Sequence, residues 1–250
     1  MRGFDDGGVS VGNPLSGITA LPTAAASSAP PGSVPPTRDR RALTSRIIHF
    51  DDPCQAERRR VEAFIEASYL RAYGGRIVRH YPTLMSVQDD DGAIYAVVGF
   101  RLAGDTPLFL EQYLDVPVET ALSEAIGTAV ARPAIVEIGN LASNGRGATI
   151  FLFAAMARHL DAVGAQFAVA TATEELRGVF HKAGLGALRL ASADPERLLD
   201  HGVSWGAYYD TRPVVLAGSI LAATTPLTRF AEATPTARAV RTRLHFRSEP

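Results

Sequence analysis

The chain has 250 residues, 46% hydrophobic and 20% charged, with 25 Lys and Arg against 26 Asp and Glu for a formal net charge of −1. That length buries one substantial core, and the balanced charge gives no whole-chain attraction to nucleic acid or an anionic membrane. The single cysteine, Cys54, excludes an intrachain disulfide framework and a cysteine-built metal site.

Residues 1–43 are rich in Pro, Gly, Ser and Ala and poor in large apolar side chains, so burial cannot offset their ordering entropy and disorder is expected. The opening Met1-Arg2-Gly3-Phe4-Asp5-Asp6 places acid where the basic region of a secretion signal belongs. No window supplies the roughly 18–20 apolar residues of a membrane span. A cytoplasmic location is therefore expected. The folded domain is expected over 44–232, followed over 233–250 by a basic flexible tail with Arg238, Arg241, Arg243 and Arg247.

Within the domain, 46–50 reads as a strand. Val61, Phe64, Ile65 and Leu70 recur near helical spacing, so 53–73 is an amphipathic helix stopped by Gly74-Gly75. Segments 83–87 and 93–102 flank Asp89-Asp90-Asp91-Gly92, where Asp-Gly marks a hairpin turn. Leu108 to Tyr113 is a further apolar segment, and 118–128 reads as a helix. Then the pattern becomes strand (134–141), helix (148–163), strand (166–171), helix (174–183), the spacing of a parallel pair joined by a crossover. Segment 187–191, a short helix at 194–199, and strands at 205–209 and 214–220 complete the chain. The expected fold class is α+β: a mixed, mostly antiparallel sheet with a central parallel βαβ crossover and helices on both faces.

The crossover carries the chemistry. In Glu137-Ile138-Gly139-Asn140-Leu141-Ala142-Ser143-Asn144-Gly145-Arg146-Gly147-Ala148-Thr149 a strand runs into a glycine-bearing loop and a helix starts at once. First-turn amides lack intrahelical partners and lie at the positive end of the helix dipole. Glycines let the backbone approach a phosphate closely. Residues 144–149 are thus a candidate phosphate cradle, with Arg146 adding charge and Leu141 and Ala142 leading into it. Glycine turns of this kind also occur with no ligand.

Asn144-Gly145-Arg146-Gly147-Ala148-Thr149 resembles the coenzyme A loop of GNAT-type acetyltransferases, Gln/Arg-x-x-Gly-x-Gly/Ala, with Gly147 on its central glycine. Asn144 and Thr149 depart from that pattern. Phe180-His181-Lys182-Ala183-Gly184-Leu185 is similar to the Tyr-x-Lys-x-Gly-Phe ending of the GNAT fourth helix, with Phe180 in place of the tyrosine proposed there as general acid. Over 46 to about 220, Leu108-Phe109-Leu110-Glu111-Gln112-Tyr113-Leu114, Val136-Glu137-Ile138-Gly139-Asn140-Leu141-Ala142 and Trp205-Gly206-Ala207-Tyr208-Tyr209-Asp210 resemble the thermostable hemolysin family. The resemblance implies a GNAT-like fold and an acyl thioester co-substrate, acyl-CoA or the phosphopantetheine of an acyl carrier protein, with no cofactor bound permanently.

The resemblance also makes Glu137 a candidate base for deprotonating an amine acceptor. The alternative is a structural glutamate paired with Arg101 or Arg132. On strand alternation Glu137 shares a face with Ile135 and Gly139, opposite Val136 and Ile138. Glu111 is a candidate partner for a cationic acceptor or for Arg101, against a strand-end carboxylate in water. Trp205, Tyr208 and Tyr209, the densest aromatic cluster, either wall an acceptor pocket or fill the sheet core. The histidines lack metal-ligand spacing, so no metal site is expected.

Three functions follow. The first is an N-acyltransferase moving an acyl group to an amine, with lysis arising from a surfactant-like product. The second is a non-catalytic GNAT-like binder. The third is a directly membrane-lytic protein, which needs an exposed amphipathic helix; the apolar stretch 148–160 carries Phe151, Leu152, Phe153 and Met156 on more than one face, the pattern of a buried crossover helix.

Overall fold

A computed structural model of the chain describes residues 43–233, apart from 52–54, 105 and 146. The expectations for 1–42, for the tail beyond 233, for Cys54 and for Arg146 fall outside the described residues.

Seven strands form one sheet in the order β1-β2-β3-β4-β5-β7-β6. They are β1 (Leu43–His49), β2 (Thr83–Asp89), β3 (Ile94–Leu102), β4 (Ile135–Ser143), β5 (Phe167–Ala172), β6 (Leu188–Ser192) and β7 (Val214–Ser219). Only β4 and β5 run parallel, and the connecting helix α3 (Ala148–Ala162) makes the crossover. The other pairs are antiparallel. This is the mixed α+β sheet that the sequence pattern implied.

One face of the sheet carries α3 and α5 (Ile220–Ala233), which pack on Met85, Val98, Phe100 and Val136. Phe180 and Val179 of α4 (Glu174–Lys182) close the end of that layer. The other face carries α1 (Gln55–Tyr73), whose Val61, Ile65 and Tyr69 cover Leu84 and Val97. Beside it, Val118 and Leu122 of α2 (Val118–Ile126) cover Ile135, Val169 and Val215. Strand β4 divides as alternation requires: Val136 and Ile138 belong to the α3 layer, Ile135 to the α2 layer.

Three segments differ from the sequence reading. Residues 109–113 form a 3-10 helix, Phe109–Tyr113, whose first two amides donate to the one buried carboxylate of Glu137. The expected strand at 205–209 is part of an irregular 3-10 segment, Val203–Thr211, broken at Gly206 (φ 57°, ψ −132°). Dense aromatics imitate a strand in sequence, but here they pack on α1 rather than into a ladder: Trp205 and Tyr208 lie 6.1 and 6.3 Å from the Tyr69 ring. Finally, the strand expected to 220 ends at Ser219 and a helix follows directly, with Pro226 in its interior.

The Gly206 kink fixes the aromatic segment against α1. A Cβ at Gly206 would lie 2.1 Å from the Tyr73 carbonyl oxygen, and one at Gly75 would lie 2.7 Å from that of Trp205. The two backbones interlock. Gly206→Ala is therefore expected to cost clearly more than the roughly 1–2 kcal/mol of left-handed strain alone. Chemical denaturation compared with wild type checks this, and a loss within that range would show that the junction is slack.

Candidate functional site

The ladder between β4 and β5 runs from Ile135↔Phe167 to Ile138↔Ala170 and stops. Strand β4 continues to Ser143, paired only with β3 among the described residues, while β5 continues to Ala172 against β7. The stop coincides with a bulge. Val97 pairs with Ala142 and Gly99 with Gly139, so Asn140 and Leu141 together oppose Val98. Asn140 takes φ 49° there. Such an insertion bends the strand and strengthens its twist, which carries β4 away from β5.

A cavity of about 990 Å³ passes through the gap. On the α3 side its wall is apolar: Phe153, Met156, Leu160, Phe180, Ile220 and Leu227. On the α1 side it is aromatic, with Tyr81, Phe109, Tyr113, Trp205, Tyr208 and Tyr209, and its polar groups include Glu137 and Arg101.

Glu137 is 1% exposed. Its Oε2 accepts from Arg101 Nε at 2.8 Å and from the Phe109 amide at 3.1 Å, and its Oε1 accepts from the Leu110 amide at 2.7 Å. A buried carboxylate needs this degree of compensation. The Tyr81 phenol lies beside it; burial and then the Glu137 charge keep that phenol well above the ordinary tyrosine range and therefore protonated. The Tyr81 ring lies across the paired glycines: a Cβ at Gly99 would meet the Tyr81 Cβ at 2.8 Å, and one at Gly139 would meet its hydroxyl at 2.6 Å. Buried Arg58 fixes the backbone beneath, donating to the carbonyls of Tyr81 (2.8 Å) and Pro82 (3.0 Å). The Arg101 guanidinium sits 6.0 Å from the ring centroid.

Glu111 pairs with Arg132, not Arg101, and is not in the cavity wall. Arg132 grips both of its oxygens, at 2.7 and 2.9 Å, and the amides of Val118 and Leu108 donate to it at 2.9 and 2.6 Å. Glu111 thus ties the 3-10 helix to the start of α2. Trp205, Tyr208 and Tyr209 do both things considered for them: they line the cavity and pack as core, with Tyr209 bonded to Tyr113 through the two hydroxyls. Burial pushes the Tyr209 phenol up to about 12.

At the open end of β4, Leu141, Ser143 and Thr149 reach the cavity wall. Gly145 (φ 82°) and Gly147 (φ 77°) shape the turn into α3. Ser143 Oγ accepts from the Gly145 amide at 3.1 Å and from the Thr149 hydroxyl at 2.8 Å. The Asn144 amide donates to the Tyr95 carbonyl at 3.0 Å. Thus the two residues that depart from the GNAT loop pattern brace the turn. Phe180 stacks on Phe153 with centroids 5.5 Å apart, so α4 contributes packing at that position. Sequence reasoning missed Tyr81, whose own neighbourhood has no pattern; the facing glycines Gly99 and Gly139 become a signal only once β3 and β4 are known to pair. Asn140 stood in the strand reading and was not singled out.

The sequence model of the thermostable hemolysin family matches residues 52–224, and the chain belongs to that family. No curated protein matches it. Among solved structures it is similar to the acyl-homoserine lactone synthase LasI, at 16% identity and TM-score 0.50, covering 72% of this chain and 91% of that one. It is similar to BjaI, a CoA-dependent acyl-homoserine lactone synthase solved with SAM and isopentyl-CoA, at 13% identity and TM-score 0.54, covering 81% and 93%. A third likeness is to FeeM, an N-acyl amino acid synthase from uncultured soil microbes, at 13% identity and TM-score 0.51, covering 73% and 98%. At these identities the likeness establishes the GNAT-like fold.

The Arg132 side chain, with the Val118 and Leu108 amides, holds the Glu111 carboxyl at about 2 against 4.5 for a free one. A folded value below the unfolded one stabilises the fold above about pH 4.5, and the contribution is lost as the pH falls toward 2. Its size is on the order of 3 kcal/mol. Unfolding free energy measured from pH 6 down to pH 2.5 is expected to fall, and Glu111→Gln to remove one carboxylate's share of that slope. A variant with an unchanged slope would overturn the assignment.

Proposed function

We propose that this member of the thermostable hemolysin family is an acyltransferase that takes an acyl group from an acyl thioester, carried by coenzyme A or an acyl carrier protein, to an amine. The observation that carries the reading is one continuous cavity joining three chemically different places: the start of α3, an apolar chamber under α5, and an aromatic chamber over Glu137.

On this reading the donor phosphate sits at the first turn of α3, against Asn144, Gly145, Gly147, Ala148 and Thr149, where helix amides and dipole favour an anion. The extended arm runs along Leu141 and Ala142 on the edge of β4 that β5 has left. The acyl chain enters between α3 and α5, whose wall of Phe153, Met156, Leu160 and Leu227 suits a chain longer than acetyl. The acceptor lies between Trp205, Tyr208 and Tyr209 on one side and Arg101 and Tyr81 on the other.

Glu137 borders the cavity but is only 1% exposed, so on this reading the acceptor's proton reaches it through the half-buried Tyr81 phenol. As the amine nitrogen attacks the thioester carbonyl carbon, its proton passes to the Tyr81 oxygen while the phenol proton passes to Glu137. The carbon–sulfur bond then breaks, the thiolate takes a proton from water, and the proton on Glu137 returns through Tyr81 to the hydroxide so formed, restoring the carboxylate. An amide and a thiol result, and an acylated amine with a long chain is a surfactant. The packing does not favour direct membrane lysis: the apolar residues of α3 from Ile150 to Ala157 are all buried, and no described helix is long and apolar enough to cross a membrane.

Thermal-shift titration with acetyl-, medium- and long-chain acyl-CoAs, followed by thiol release with a panel of amines, tests the reading. Stabilisation that grows with chain length, plus amine-dependent thiol release, is expected; stabilisation without release would make the domain a binder. Thr149→Glu keeps a favourable charge at a helix N-terminus yet opposes a phosphate. It is expected to keep its melting temperature and to weaken coenzyme A binding by about tenfold or more, roughly 1.4 kcal/mol. Unchanged affinity would remove the phosphate from this turn.

A further inference from the structure

Asn140 is the one non-glycine residue inside a described strand with a positive φ, 49°; the other two such residues, His201 and Arg212, are exposed. It is the first residue of the β4 bulge, at the point where β4 loses its β5 partner. The residue is 6% exposed, it lines the cavity, and its Oδ1 is sealed off without a hydrogen-bond partner.

The backbone does not explain the side chain. A left-handed position at a bulge is met most simply by glycine, and asparagine is only the next best fit. A carboxamide adds a buried carbonyl, and buried carbonyls without partners are uncommon and unfavourable. Strain and an unmet acceptor thus coincide on one residue in the cavity wall, and both are explained if a bound molecule supplies the missing donor.

The geometry points to Asn140 as a ligand-binding residue whose side-chain carbonyl, once the carboxamide turns toward the cavity, accepts an N–H from an amide in the phosphopantetheine arm of the acyl donor. The arm fits better than the amine acceptor. It is extended, it carries secondary amides, and it follows the β4 edge between Leu141 and Glu137 where a neighbouring strand's N–H groups would otherwise lie. The inference rests on the donor reading above and adds the group that fixes the arm's register relative to Tyr81.

Calorimetric titration of the full chain with coenzyme A, and separately with 4′-phosphopantetheine, tests it on wild type, Asn140→Gly and Asn140→Asp. Asn140→Gly relieves the backbone and removes the unmet carbonyl, so the free protein is expected to melt at the same or a higher temperature. Both probes are expected to bind it about tenfold more weakly, the loss of one good hydrogen bond. Asn140→Asp keeps an acceptor oxygen and tolerates the backbone, so its affinities are expected within about twofold of wild type. Asn140→Gly binding as tightly as wild type would overturn the inference while leaving the donor reading in place, whatever its melting temperature. Unchanged probe affinity with weakened amine use would also overturn it and move the carbonyl to the acceptor. Failure of both probes to bind wild type would sink the donor reading and this inference with it.

Discussion

The end of the β4–β5 ladder at Ile138 and Ala170 is the constraint around which the molecule is arranged. A parallel pair in the middle of a seven-stranded sheet is ordinarily satisfied along its whole length, because buried backbone N–H and C=O groups without partners are costly. Here the bulge at Asn140 and Leu141 turns β4 aside while β3 stays with it and β7 stays with β5. Each strand thus keeps one partner and gives up the other. What opens is a gap lined by two strand edges, where an extended molecule with its own amides would find the hydrogen bonds that the sheet has relinquished.

Glu137 stabilises the ground beside that gap. It belongs to the last part of β4 still paired on both sides, and its carboxylate faces the α1 layer, not the α3 layer. Two backbone amides from the 3-10 helix and one guanidinium nitrogen converge on it. Removing one partner from a buried charge is far more damaging than never having built the cluster. The cluster therefore behaves as a unit that fixes Phe109, Arg101 and Tyr81 together. Glu111 and Arg132 repeat the device one turn further on, outside the cavity. Two carboxylates that look alike in sequence differ because one lies under the aromatic wall and the other ties two helices together.

The alternation of strand and helix from 134 to 183 was legible because a crossover helix needs apolar residues all round and a buried parallel strand needs them on both faces. Leu141, Thr149 and Glu137 were legible as candidates because they flank that crossover, and Arg101 entered only as a possible partner for Glu137 or Glu111. The aromatic segment was read as a strand because Trp205, Tyr208 and Tyr209 have strand-like composition, and only the interlock of Gly206 with Tyr73 shows why the chain must kink. Helix α5 hid behind Pro226, which usually ends a helix. The partner of Glu137 was narrowed to Arg101 or Arg132, but the choice depended on register: Arg101 faces Glu137 across the β3–β4 ladder. Tyr81 and Asn140 take their meaning wholly from tertiary contacts, one from two facing glycines and the other from a bulge.

On the acyltransferase reading, transfer to an amine would compete with transfer to water, and the cavity walls bear on that competition. The acyl side is closed by α3, α4 and α5 with apolar residues, so a bound chain would exclude solvent from the thioester as it fills the space. On the other side Trp205 and Phe109 lie 5.6 Å apart, with Tyr113 6.0 Å from Phe109, and they leave Arg101 and the Tyr81 phenol as polar groups near the carbonyl position. A base exposed to solvent would activate water as readily as an amine. On the acyltransferase reading, Glu137, at 1% exposure and beside a phenol pinned over two glycines, would respond only to a nucleophile that fits the aromatic chamber. Enclosing the carboxylate would thus give up direct contact with the acceptor and gain discrimination against hydrolysis.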